Sequence, residues 1–223
     1  TLAHIDNLKE VFSSVKLLMD NHSVFIFEVG YRLDVIKNYW FDTIYHEHLD
    51  YHSLKPLKNC LKKIGLNVFR VYRGNQQGGS IRLYCCLINS QRKIEKNVQD
   101  LLLLEEKEKL YDIETYKKFN NNLLKIKLDL KNIINCYKKD KKKIVGFGVP
   151  TKAATLMTFF NITENDIDFF VDDNLLKQDK YTPIGKIPIL STDAIYENPP
   201  DLIFIFAWNF SDSIILNHKK IIN

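Results

Sequence analysis

From Gln91 to Lys139 the chain contains neither glycine nor proline. The tract is rich in Lys, Glu and Leu at helical spacing. Glycine and proline are the strongest local breakers of regular structure, so a stretch this long without them reads as helix. Two helices are predicted, over about 93–110 and 113–139. Heptads are not sustained, so a plain connector is expected rather than a partner-binding coiled coil. The tract divides the chain: every strand-like segment lies before it or after it. The expected organisation is 1–90, a helical connector over 91–140, and a second unit over 141–223.

Beyond the tract, strands and helices alternate. Lys143–Phe147 reads as a buried strand, and the turn Gly146-Phe-Gly-Val-Pro-Thr-Lys152 opens a helix running to about Phe160. Further strands are predicted at Ile167–Val171, Ile184–Ile189 and Leu202–Ala207, with short helices at Asp193–Tyr196 and Ser211–Asn217. That alternation implies a parallel sheet with crossover helices. The fold class is α/β.

Before the tract, Thr1–Ile5 reads as the end of a strand, and Asp6 as the N-cap of a helix with Leu8, Val11, Phe12, Val15 and Leu18 on one face. Ser23–Val29 is a strand rich in aromatic and branched residues, closed by Gly30. Residues 31–53 read as a long irregular loop, and loops of that length in a domain are usually functional. Leu54–Ile64 is an amphipathic helix ended by Gly65. Asn67–Tyr72 and Ile81–Ile88 form a predicted hairpin.

The formal net charge is +5, and much of the excess sits in Lys138–Lys143. No basic stripe interleaved with aromatics accompanies it, so nucleic-acid binding is not expected. No apolar run reaches the ~18 residues that a membrane span needs, and no signal peptide is visible, so a cytoplasmic protein is expected. The four cysteines, Cys60, Cys85, Cys86 and Cys136, show no C-x-x-C spacing and read as reduced thiols.

Three of the six histidines fall in Tyr45-His-Glu-His-Leu-Asp-Tyr-His52. Histidine titrates near neutral pH and is the usual general base; a carboxylate can orient it, and a phenol can donate to a developing oxyanion. Placed after a parallel-sheet strand, such a loop would sit at the carboxyl edge where α/β sheets bind ligands. His48 and His52 share a helical spacing, but further metal ligands are not evident, and no metal is expected. In Gly146-x-Gly148-x-Pro150-x-Lys152 the glycines allow close backbone approach, and the helix start with Lys152 suits a phosphate. Asp172-Asp173 falls where a ribose contact could lie. Gly78-Gly-Ser-Ile-Arg82 allows close backbone contact and offers Arg82 to an anion. Trp208-Asn209 follows the last apolar strand, where an aromatic can stack on a base or sugar.

Phe41-Asp-Thr-Ile-Tyr-His-Glu-His-Leu49, Gly78-Gly-Ser-Ile-Arg82, Gly146-Phe-Gly-Val-Pro-Thr-Lys152 and Pro200-Asp-Leu with Ala207-Trp-Asn209 occur in the order seen in bacterial sugar C-methyltransferases, which the chain resembles along nearly its whole length. Those enzymes methylate a ring carbon of nucleotide-linked 4-keto deoxysugars with S-adenosylmethionine. The resemblance implies that residues 1–90 are the C-terminal half of a Rossmann-like methyltransferase domain and residues 141–223 a Rossmann-like sugar-nucleotide-binding domain. The incomplete first sheet should leave one exposed strand edge.

By the same resemblance His48 is the base, Glu47 and Tyr45 orient or stabilise, and His4 faces the same pocket. Arg82, Gly148, Lys152, Trp208 and Asn209 are then assigned to binding the nucleotide-diphosphate sugar. The family's N-terminal zinc cysteines and early Gly-rich S-adenosylmethionine turn have no counterpart in these residues. The implied reading is part of such a methyltransferase, as a fragment, a split gene product completed by a separate polypeptide, or the product of a truncated gene; the alternative is a non-catalytic sugar-nucleotide-binding module or inactive fragment. A nicotinamide-dependent oxidoreductase would rest on Gly146-x-Gly148 alone.

Overall fold

Helix α1 (Leu8–Leu17) opens the chain's regular structure. Its cap is Asn7, whose side chain accepts from Glu10 N at 3.2 Å, one residue later than the expected Asp6. The computed structural model describes residues 2–221, apart from the side chain of Gln77. Leu2–His4 form a single 3-10 turn rather than the end of a strand, and Thr1 lies outside the described residues. Asp20 gathers His22 N, Ser23 N and Ser23 Oγ on one carboxylate oxygen. That turn delays β1 (Phe25–Gly30) past the expected Ser23.

A short helix, α2 (Arg32–Lys37), occupies the segment read as irregular loop, followed by a 3-10 turn at Phe41–Thr43. Helix α3 (Leu54–Ile64) ends at Gly65, whose φ of +93° is the left-handed conformation a glycine cap supplies. Strands β2 (Leu66–Gly74) and β3 (Ser80–Leu87) form the expected hairpin. Helices α4 (Lys96–Lys107) and α5 (Ile113–Lys139) fill the tract without Gly or Pro.

The first sheet has the order β1-β3-β2, with β3 antiparallel to both neighbours. Strands β1 and β2 therefore run parallel to each other, joined across α2 and α3. The expectation that β1 is a parallel-sheet strand is corrected here: the β2–β3 hairpin folds back and inserts β3, antiparallel, between β1 and β2. One face packs Phe27, Val29, Ile81, Leu83 and Val71 against Phe12 of α1, Leu57 and Leu61 of α3 and Leu101 of α4. Alternation along the strands leaves Ile26, Glu28, Arg82, Tyr84 and Tyr72 for the other face, where Glu28 lies directly opposite Arg82. β1 is a sheet edge among the described residues, and its Ile26 is exposed. Burial pushes the Cys85 thiol up to about 12, so it behaves as a small core hydrophobe.

Glu105 of α4 is fully buried and caps a different helix. Its carboxylate accepts from Leu54 N at 2.6 Å and Lys55 N at 3.1 Å, the first amides of α3, and from the phenols of Tyr31 and Tyr111. A carboxylate at a helix N-terminus meets both the free amides and the helix dipole. Ser53, the residue before α3, is thereby released to bond Arg32 and Tyr111.

The described residues separate into two compact units, divided between Asn120 and Asn121. The second contains β4 (Ile144–Phe147), α6 (Lys152–Phe160), β5 (Phe169–Val171), β6 (Lys180–Tyr181), β7 (Pro188–Leu190), α7 (Ala194–Glu197), β8 (Leu202–Ile205) and α8 (Ser211–Asn217). Its sheet order is β6-β7-β5-β4-β8, parallel except for the edge strand β6. The strand expected from Ile184 begins at Pro188 instead. Thr182 explains this: its hydroxyl donates to Ile184 O and accepts from Ile187 N, making residues 182–187 the turn of a β6–β7 hairpin.

Candidate active site

His48 sits between two oxygen groups of its own loop. Its Nδ1 lies 2.9 Å from Thr43 O and its Nε2 lies 3.1 Å from the Tyr45 hydroxyl. A carbonyl oxygen only accepts, so Nδ1 carries a proton, and in the neutral form of the ring Nε2 is the basic lone pair. The Tyr45 phenol then donates to it. The Tyr51 hydroxyl also donates to Thr43 O, at 3.0 Å, fixing the carbonyl that fixes the imidazole. Burial, and secondarily the charge of Glu47, raise the Tyr45 pKa above the ordinary phenol value. Tyr45 is therefore a proton donor and not a base.

The His4 ring packs edge-on to His48 with centroids 5.1 Å apart, and Leu49 N donates to Ala3 O at 2.8 Å, tying the 3-10 turn to the loop. Both rings line a cavity of about 280 Å³, together with Glu28, Arg32, Trp40, Asp50, Tyr51, His52 and Ser80. That volume is close to the lower limit of small-molecule sites, ~300 Å³. Glu47 and Tyr45 are not part of the lining; Tyr45 reaches the site through its bond to His48 Nε2. Glu47 is exposed and its carboxylate lies 3.9 Å from His46, while Thr43 O and Tyr45, the phenol named beside Glu47 for this role, make hydrogen bonds to His48.

Gly78-Gly79-Ser80 makes room for the chain's own side chains. A Cβ on Gly78 would lie 2.8 Å from the Trp40 ring, and one on Gly79 would overlap Asp34. Ser80 Oγ donates to Glu28, and Arg82 holds the other oxygen of the same carboxylate at 2.7–2.8 Å. The Ser80 hydroxyl first, and Arg82 with it, keep the Glu28 carboxyl below the usual range. Glu28 and Ser80 reach the cavity, whereas Arg82 is paired with Glu28 on the open face of the sheet.

The second unit gathers another group at the carboxyl ends of its strands. Gly148 follows β4 with φ +80°, and a Cβ there would lie 2.6 Å from Ala207 Cβ, just after β8. Lys152 at the start of α6 places its ammonium 4.7 Å from the Trp208 ring centre, a cation–π distance. Asn209 is exposed beside Trp208.

Two expectations for this turn are corrected. Gly146 lies inside β4 against the Phe170 ring, where a side chain has no space, and so does not serve a ligand. Nor are the first amides of the turn free for a phosphate: Gly148 N donates to Val171 O at 2.7 Å. Val149 N donates to Asp172 at 2.7 Å, and the same carboxylate takes Asn174 N and Lys177. Asp172 therefore braces the turn instead of facing a ribose, and Asp173 accepts from Thr192.

Arg32, Trp40 and Glu28 escaped the sequence reading of the site. Glu28 carried a usable signal, an acidic residue at the end of a strand otherwise made of Phe, Ile and Val. Arg32 and Trp40 carried none. Among the described residues, no three His, Cys, Asp or Glu side chains are placed to hold a metal ion. Among the described residues, no helix is long and apolar enough to cross a membrane.

The C-methyltransferase C-terminal domain is the family whose model matches this chain, over residues 75–223. C-methyltransferase NovU of Streptomyces niveus is 30% identical over 218 residues, which make up 98% of this chain and 52% of that protein. The chain thus spans about half the length of the curated relative it matches.

Proposed function

The chain belongs to the C-methyltransferase family, and from that premise we propose that it forms part of an S-adenosylmethionine-dependent enzyme. In this reading the enzyme methylates a ring carbon of a nucleotide-linked 4-keto deoxysugar. The observation that carries the proposal is the set of contacts around His48, an imidazole with one nitrogen held by a carbonyl and the other beside a phenol whose pKa is raised.

A ketone acidifies the proton on its neighbouring carbon. With the sugar in the cavity, His48 Nε2 takes that proton. The Tyr45 hydroxyl turns from Nε2 to the ketone oxygen and donates to it as negative charge builds there. Thr43 O holds the Nδ1 proton throughout and favours the imidazolium that forms. His4 closes one side of the pocket. Gly148, Lys152, Trp208 and Asn209 are proposed to take the nucleotide end, with the indole for the base and the ammonium for a phosphate. Arg82 acts through Glu28 and not on the sugar directly.

S-adenosylmethionine supplies the methyl group when bound. The described residues do not fit its cradle. The glycine that closes β1 is Gly30, and the next two amides are already taken, Tyr31 N by Gly79 O at 3.1 Å and Arg32 N by His52 O at 2.8 Å. The steps assigned to this chain are therefore proton removal and oxyanion stabilisation.

Calorimetric titration with thymidine diphosphate tests the nucleotide end. Saturable binding in the micromolar range, lost in Trp208→Ala, supports the assignment. A folded chain that takes up no thymidine diphosphate contradicts it.

A further inference from the structure

Two residues lining the His48 cavity each carry a buried side-chain nitrogen with no hydrogen-bond partner among the described residues: Nε of Arg32 and Nε2 of His52. Such atoms are rare in folded proteins, because desolvation without a replacement bond is costly. Both are held in place by the backbone. Tyr31 and His52 form a parallel bridge, and Arg32 N donates to His52 O at 2.8 Å. The far end of Arg32 is anchored, with one terminal nitrogen donating to Ser53 Oγ at 3.0 Å and the guanidinium 5.5 Å from the Tyr111 ring centre. His52 is only 7% exposed. The pair is thus fixed, and one nitrogen of each residue is left without a partner in the cavity wall.

The chemistry of the two atoms selects what enters. An arginine nitrogen only donates, so the incoming atom must accept. An imidazole nitrogen donates or accepts according to its tautomer. A hydroxyl satisfies both, accepting from Arg32 and bonding His52 through its proton or its second lone pair. A CH2 group satisfies neither, and an ammonium cannot accept from Arg32. We infer that Arg32 and His52 form a subsite for one ring hydroxyl of the sugar, and that the protein thereby selects a hydroxylated 4-keto sugar over its further-deoxygenated analogue. This inference rests on the sugar reading above and adds to it the substituent that the cavity reads.

The test is a calorimetric titration with thymidine-diphosphate-linked 4-keto-6-deoxyglucose and with its 2-deoxy and 3-deoxy analogues. In the wild-type chain, one of the two deletions weakens binding by roughly 10-fold or more, as expected when two buried polar groups lose their partner. In His52→Phe and Arg32→Lys the parent sugar falls to the affinity of that analogue and the preference disappears. The 15N resonance of His52 Nε2 gives a readout that needs no variant to fold; it shifts with the parent sugar and not with the discriminated analogue. Equal affinity for all three sugars, a preference that survives both substitutions, or an unmoved His52 resonance overturns the subsite and leaves the sugar reading standing. A folded chain that binds none of the three sugars removes the sugar reading and the subsite together.

Discussion

His52 carries a pH dependence that can be read from its surroundings. Burial lowers its pKa, and the nearby Arg32 charge adds to this, while Asp50 opposes. The unfolded imidazole therefore binds its proton at a higher pH than the folded one. The contribution of neutral His52 is complete above the ordinary imidazole pKa of ~6.5 and is lost as the pH falls below it. Urea midpoints at pH 7 and pH 5.5 should show the wild-type chain losing stability over that interval. His52→Phe should lose less. An equal loss in the variant would assign the acid sensitivity to other groups. The same residue shows what a sequence can withhold. His52 stands out in the Tyr45–His52 cluster by its residue type, but its burial depends on pairing with Tyr31, twenty-one positions earlier.

At the scale of elements, the least visible device is the cap of α3. Neither Glu105 nor Ser53 announces it, because the capping carboxylate comes from α4, about fifty residues further along the chain. Glu105→Ala leaves the buried Leu54 amide, the Lys55 amide and two phenols without their acceptor. It should cost roughly 2–4 kcal/mol, the range for breaking a buried polar network, whereas an exposed glutamate such as Glu106 replaced by alanine should cost almost nothing. Chemical denaturation of both variants checks this, and equal midpoints would refute the role.

Elements whose signals are local were legible from sequence. Gly65 closes α3 where the pattern ends, and the tract without Gly or Pro resolves into α4 and α5. Elements that lack such signals were not. Helix α2 follows Tyr31, which makes no side-chain cap, so nothing marked it within the long loop. The antiparallel insertion of β3 beside β1 follows from long-range pairing that no window of the sequence contains. At the site, the histidine cluster was visible, but its partners were assigned differently. The carboxylate next in sequence, Glu47, was expected to orient His48, whereas the loop's curvature brings the Thr43 carbonyl there instead.

Across the whole molecule, the two units carry different parts of the proposed chemistry. The first holds the base, the phenol and the hydroxyl subsite; the second holds the Lys152–Trp208 pair proposed for the nucleotide. The central claim is that His48 removes the proton beside the ketone, and it can be tested without any methyl transfer. Thymidine-diphosphate-linked 4-keto-6-deoxyglucose is incubated with the chain in D2O, and deuterium incorporation beside the ketone is followed by NMR against a protein-free control. The account predicts exchange well above the control, reduced on the order of 100-fold or more in His48→Asn and less severely in Tyr45→Phe. Exchange at the control rate with sugar bound, or undiminished exchange in His48→Asn, would contradict it.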